Sequence, residues 1–405
     1  MGEMPRAIRI RPAVVAAILA CAGGCSLFPT SAGSRDLALV WTRPVRELGA
    51  APDPGGWHGE PSISGGTALV DVGTGIAALK ISDGATVWVN RLWSGRRGSA
   101  ATGRIVAAQQ RALLAAFGFV HALNIHTGAT NWTTPVDSID HLSANETDGS
   151  MFYVGTRGPG LYASATALDV ATGAVRWRTP VNAPDDFASF VNGFAISGDT
   201  VYATATKYTE RWGRNHVGIV LALDRATGRE LWRYRSPGNE VNREAITDAP
   251  AIAGPLLLIS DGDAPAVYAL DRATGREVWR VRTDPAYVGP YERPHVAGDT
   301  AFFASGDRYI YAVQASTGRI YWKYRARGSI LDMALCGRWI LGNTYAIEVV
   351  DRGTGRGIAT LIDPEKLPIG SGFATSAFAV ERQANGSYIA VVTGTKDVYG
   401  IRCPG

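Results

Sequence analysis

The sequence predicts an all-β protein, an eight-bladed β-propeller of four-stranded antiparallel blades whose last blade is closed by the N-terminal strand. Three observations predict it. An eleven-residue unit, Ala269-Leu-Asp-Arg-Ala-Thr-Gly-Arg-Glu-Val-Trp279, recurs in near-copies along the chain. The glycine of the unit falls at 84, 128, 173, 228, 275, 318 and 355, a period of roughly 45 residues, which suits four-stranded blades. The N-terminal segment Leu39-Val-Trp41 reads as the final strand of a blade with no strands before it, while the C-terminal segment offers three strands with no fourth.

The repeat itself is two strands and the turn between them. Residues 222–232 differ from 269–279 at one position, and residues 78–88, 122–132, 167–177 and 312–322 keep the glycine and the tryptophan in phase. A seventh copy, 349–359, keeps Asp351, Thr354 and Gly355 but has lost the tryptophan. In Asp-x-x-Thr-Gly the aspartate (Asp169, Asp224, Asp271) accepts backbone N–H groups of the turn, and the glycine (Gly84, Gly128, Gly173, Gly228, Gly275, Gly318, Gly355) takes a positive φ. The tryptophans, Trp41, Trp88, Trp132, Trp177, Trp232, Trp279 and Trp322, are large apolar plates suited to docking one blade on the next.

A chain of 405 residues exceeds one ordinary core, but each blade needs only its neighbours, so residues 38–405 count as one propeller domain, expected as a monomer. Charged residues at 19% and 48 glycines suit strands and turns rather than a disordered chain. The formal net charge is +4, with no basic run or Lys/Arg-rich helix, which argues against nucleic acid as a partner.

The first 24 residues read as a signal peptide. Arg6, Arg9 and Arg11 precede an apolar run at 13–20, too short to span a bilayer. The run leads into Cys21-Ala-Gly-Gly-Cys25-Ser, which resembles a bacterial lipobox. Cys25 is the expected lipidation site, since that register allows the longer apolar core. Cys21 is the alternative, with the better aliphatic residue, Ile18, three positions before it, and an unlipidated secretory signal is the other. Residues 25–37, with their Pro, Ser and Gly, form a flexible tether. The expected location is the periplasmic face of the outer membrane, with the lipid in the membrane.

The blades follow in order. Trp41 and its strand complete the last blade beside residues 398–402, Gly400 taking the place that Ala269 holds in the repeat. Glu60-Pro, Asp248-Ala-Pro and Arg293-Pro open matching first strands, which in a propeller are innermost and line the channel. Glu60, Asn192, Asp248, Arg293 and Asp332, with Asn145, are the candidate polar residues of the channel mouth. Blade four is long, and residues 207–216 account for the excess as a surface hairpin extension. Cys336 and Cys403 fall in neighbouring blades of an exported chain, either as a disulfide or as two isolated thiols. Six histidines show no metal-ligand spacing, so no metal site is expected.

Ala-x-Asp-x-x-Thr-Gly-x-x-x-Trp, as in 167–177, closely resembles the tryptophan-docking motif of the pyrroloquinoline-quinone (PQQ) propellers, over nearly all of the mature chain. That family includes quinoprotein dehydrogenases and the non-enzymatic BamB lipoproteins of the outer-membrane β-barrel assembly machine. The motif specifies fold rather than chemistry. The resemblance implies one of two functions. The first, favoured by the likeness to BamB in size, export signal and blade number, is a non-catalytic scaffold without cofactor. It would offer blade-connecting loops, including residues 239–248 and 287–293, to an envelope protein or to strands of a client. The second is a periplasmic dehydrogenase with PQQ and Ca²⁺ at the channel mouth. The vicinal cysteines of many quinoproteins have no counterpart among Cys21, Cys25, Cys336 and Cys403, and soluble-type glucose dehydrogenases do without them.

Overall fold

In the computed structural model the described residues lie between 37 and 403; residues 50–58, 94–102, 137, 140–144, 158–162, 182–187, 209–215, 238–245, 247, 263, 288, 291, 331, 345, 362–376 and 395–396 fall outside them, as do both chain ends. The expected signal peptide, lipidation site and most of the tether therefore lie outside the described residues, as does nearly all of the loop at 239–248. Eight antiparallel sheets form a ring. Blade 1 runs Ser62–Ser64, Thr67–Asp71, Ile76–Lys80 and Thr86–Asn90, from the channel outwards, and blades 2 to 7 repeat this order.

Blade 8 takes Ala377–Arg382, Tyr388–Thr393 and Asp397–Cys403 from the end of the chain and Ala38–Pro44 from its beginning. Trp41 pairs with Gly400 and Thr42 with Tyr399, as the sequence predicts. The ring is thus closed by hydrogen bonds between the two ends, which cover the outer edge of Asp397–Cys403.

Burial follows from this stacking. A middle strand such as Ala266–Asp271 is covered on both faces and is buried at five of six positions, which is why it reads as a continuous apolar run. An outer strand such as Glu230–Arg235 is covered on one face and alternates between exposed and half-buried positions. The turns behave as the motif predicts: Asp271 Oδ1 accepts from Thr274 N at 2.9 Å and from Thr274 Oγ1 at 2.7 Å. Gly275 has φ 71°.

Each of the seven repeat tryptophans docks across a seam. Trp41 Nε1 donates to Ile81 O at 2.7 Å, Trp88 to Ile125 O at 2.9 Å and Trp279 to Ala315 O at 3.1 Å, always reaching the third-to-fourth turn of the next blade. The ring then lies on that turn's glycine. A β-carbon added to Gly128 would sit 2.5 Å from the Trp88 ring, and one on Gly355 would sit 2.5 Å from Trp322. Within its own blade the tryptophan pairs with a small residue, Ala269 opposite Trp279 and Gly400 opposite Trp41.

The copy without a tryptophan shows the reciprocal arrangement. Ala359 pairs with Val349, so the bulk moves to the opposite strand. Blade 7 would dock on a third-to-fourth turn of blade 8, but those two strands come from opposite ends of the sequence and share no turn. At this seam Cys336 and Cys403, both fully buried, form a disulfide with a Cα–Cα distance of 5.8 Å. The disulfide alternative of the sequence reading therefore holds.

Two departures are local. Blade 3 has a split inner position, with Ser138–Ile139 and Glu146–Thr147 both paired to Met151–Arg157. Blade 4 is longer than its neighbours, with Thr200–Tyr208 and His216–Asp224 of nine residues each and an inner strand of ten, Ala188–Ser197. The tip of the expected extension, residues 209–215, falls outside the described residues.

Candidate functional site

The first strands converge on the channel, and the residue that opens each one is polar in blade after blade. Glu60, Arg104, Glu146, Asp248, Arg293 and Asp332 come from blades 1, 2, 3, 5, 6 and 7. Arg104 bridges its neighbours on both sides, 3.6 Å from Glu60 and 3.1 Å from Glu146. A cavity of about 280 Å³ opens here, lined by Glu60, Arg104, Arg293, His295, Asp332 and Phe378 among others.

These side chains tie blades together. Asp248 Oδ2 accepts from the backbone N of Arg293 at 3.0 Å, joining blade 5 to blade 6. Asp332 Oδ2 accepts from Phe378 N at 3.0 Å, joining blade 7 to blade 8, while its Oδ1 accepts from Met333 N at 2.8 Å. Asn145 Nδ2 donates to Arg104 O at 3.0 Å, joining blade 3 to blade 2. Asn192 stands apart from the mouth. It occupies the bulge in the long inner strand of blade 4, is 6% exposed, and donates to Thr206 Oγ1 at 2.9 Å and to Ile246 O at the start of blade 5.

The mouth is electrostatically crowded. Burial, together with the carboxylate of Glu60, pushes the Asp332 carboxyl up to about 7 and that of Asp248 up to about 6. Glu292, 5% exposed, is held well above its usual value by burial and by Asp332. Burial works against the charge on Arg293, but the carboxylates of Glu60, Asp248, Asp332 and Glu146 outweigh it and raise its pKa. Burial and then the cations of Arg293 and Arg104 depress His295 to about 3, so its ring is neutral at neutral pH. Asp248, Arg293 and Asp332 keep partial solvent contact, and channel water moderates these shifts.

Sequence reasoning singled out Glu60, Asp248, Arg293 and Asp332, and the structure brings them together. It missed Arg104, Glu146, Glu292 and His295. Arg104 and Glu146 stand at the starts of their first strands, as Glu60 does, and that position was the available signal. His295 lies two residues beyond Arg293, and Glu292 immediately before it.

This donor set does not fit the cofactor of the quinoproteins. PQQ is a planar tricarboxylate, and the two arginines that could meet it at the mouth already face carboxyl groups of the protein, Arg104 those of Glu60 and Glu146 and Arg293 those of Glu60, Asp248 and Asp332. Among the described residues no group of three His, Cys, Asp or Glu side chains is placed to hold a metal ion. The carboxylates of Asp248 and Asp332 are committed to backbone N–H groups of the next blade.

Comparison with known proteins agrees with the architecture. The family model described as "Outer membrane protein assembly factor BamB" matches residues 34–210 and 216–366. BamB from Moraxella catarrhalis is a similar solved structure, with 14% identity and a TM-score of 0.63 over 90% of this chain and 99% of that one. The quinohemoprotein alcohol dehydrogenase of Comamonas testosteroni aligns with a TM-score of 0.68 at 14% identity, covering 92% of this chain and 77% of that one. A europium-containing methanol dehydrogenase aligns with a TM-score of 0.66 at 14% identity, over 93% and 95% of the two chains. At such identities the likenesses show the propeller fold alone. No curated protein sequence matches the chain.

Proposed function

As the chain belongs to the outer membrane protein assembly factor BamB family, we propose that it is a non-catalytic, lipid-anchored propeller scaffold that serves β-barrel protein assembly in the cell envelope. The observation that carries this reading is the use made of the channel-mouth side chains. Asp248, Asp332, Asn145 and Arg104 each tie one blade to the next, so the polar groups that an enzyme would turn towards a substrate are occupied in holding the ring. A rigid ring suits a protein that acts by presenting loops.

On this reading the chain faces the periplasm from the outer membrane, held by acylated Cys25 or Cys21. The segment from Tyr287 to Arg293 is one presenting loop, and Tyr287 is 43% exposed. A photo-crosslinking amino acid at position 287, activated in intact cells, tests it. The expected adduct is a subunit of the barrel-assembly machine or one of its outer-membrane clients. Adducts only with cytochromes or other electron-transfer proteins would favour the second reading, a PQQ-dependent periplasmic dehydrogenase.

A further inference from the structure

The outer strands of blades 4, 5 and 6 carry a charge pattern that the fold does not require. Blade 4 presents Leu231, Arg233 and Arg235 in a line on the exposed face of its outer strand. Blade 5 repeats the line with Val278, Arg280 and Arg282, and blade 6 with Tyr321, Lys323 and Arg325. A further arginine precedes each strand, at 229, 276 and 319. Segments 229–235, 276–282 and 319–325 thus hold nine cations against the two carboxylates of Glu230 and Glu277, in a chain whose whole formal charge is +4. The remainder of the molecule is net negative. Blade 2 holds Asn131, Thr133 and Pro135 at the same positions, so the docking of blades makes no demand for charge there.

We propose that the outer rim of blades 4 to 6 is a docking surface for a carboxylate-rich face of a partner protein, an inference that rests on the scaffold reading and deepens it. Arg233 and Arg280 are engaged by Glu230 at 2.7 Å and Glu277 at 2.6 Å. Arg235, Arg282 and Arg325 are exposed and have no ion pair among the described residues, so a partner's carboxylates would meet them unopposed. All but one of the nine cations are arginines, whose planar fork matches a carboxylate bidentately. The interleaved Leu231, Val278 and Tyr321, at 44%, 53% and 43% exposure, supply the apolar contact that protein interfaces add to charge. Curvature favours a protein over a bilayer. Successive blades stand an eighth of a turn apart, so the three lines fan over a quarter turn of a convex rim. A flat membrane meets one line at a time, whereas a concave protein face meets all three.

The test uses the full chain with a labelled poly-L-glutamate peptide as the probe. Binding at low salt is expected, weakening as salt rises, and the triple variant Arg235→Glu, Arg282→Glu, Arg325→Glu should weaken it by about tenfold or more. A control triple on blades 7 and 8, Arg356→Glu, Arg382→Glu, Arg402→Glu, changes net charge equally and should leave binding near wild type. Equal loss in both triples, or loss in neither, would overturn the rim assignment. Vesicles of phosphatidylglycerol in phosphatidylcholine form the second arm, and rim-dependent binding to these without binding to the peptide would overturn the protein partner in favour of a membrane. Circular dichroism of both triples confirms that they fold. Failure of the rim with the position-287 adducts intact would leave the scaffold reading standing, whereas loss of those adducts would remove it.

Discussion

Cys336 and Cys403 are joined by a disulfide across the seam between blades 7 and 8, where Ala359 stands at the position of the docking tryptophan. Covalent closure thus falls where the repeat's own device is missing. Replacing both cysteines by alanine should cost about 2–5 kcal/mol, the usual range for loss of a native disulfide. Denaturant unfolding with and without reductant checks it. Reductant should lower the wild-type midpoint to that of the double variant and leave the variant unmoved. A wild-type midpoint insensitive to reductant would show that the other contacts of this seam suffice.

The docking pair of blades 1 and 2 makes a second prediction. Trp88→Ala removes a buried plate and its hydrogen bond to Ile125 O, and should destabilise by roughly 3–5 kcal/mol. Gly128→Ala attacks the same contact from the other side, with φ 71° and a β-carbon 2.5 Å from the Trp88 ring, and should cost roughly 2–4 kcal/mol. Because the two act on one contact, their effects should be less than additive in the double variant. Full additivity would place them in separate interactions.

Much of this architecture is legible in the sequence, because seven spaced copies of one turn fix the strand order and the unpaired ends fix the closure. The rest depends on contacts between blades. Ala359 looks like decay of the repeat until Val349 is seen opposite it. Asn192 reads as a mouth residue because its place in the strand resembles that of Asp248, but a bulge in the longer inner strand of blade 4 turns it into the seam. The split inner position of blade 3 has no counterpart in the other repeats and so no periodic signal. The rim cations alternate with apolar and aromatic residues, as in Leu231-Trp-Arg-Tyr-Arg235, and never form the run that marks a basic segment.

The mouth carboxyls set a pH dependence. Asp332, with a pKa raised to about 7 by burial, binds a proton in the native state that the unfolded chain releases near pH 4. Its contribution to stability therefore declines as pH rises from roughly 4 to 7. His295, depressed to about 3, acts in the opposite sense, its contribution being lost as pH falls below the ordinary histidine value of about 6.5. Asp332→Asn removes the first effect and keeps the second. Relative to wild type, its stability should improve steadily between pH 4 and 7, as measured by denaturant unfolding at a series of pH values. Parallel curves would show that Asp332 is ionised throughout.

The anchor is tested by fractionation. The acyl chains of a mature bacterial lipoprotein contribute about 0.8 kcal/mol per buried methylene, enough together to hold the chain on a membrane. Cys25→Ala should release the propeller into the soluble periplasmic fraction, and Cys21→Ala should leave it bound. The reverse outcome would move the lipid to Cys21, and soluble protein in every case would make the segment an ordinary signal peptide.

The scaffold account turns most directly on whether the channel mouth takes up the quinone. Purified protein is incubated with PQQ and Ca²⁺, desalted, and examined for quinone absorbance and for alcohol- or sugar-dependent dye reduction. With Arg104 and Arg293 already facing carboxyl groups of the protein and Asp248 and Asp332 tied to neighbouring blades, the account predicts no retained absorbance and no reduction. Stoichiometric retention of PQQ accompanied by dye reduction would contradict it.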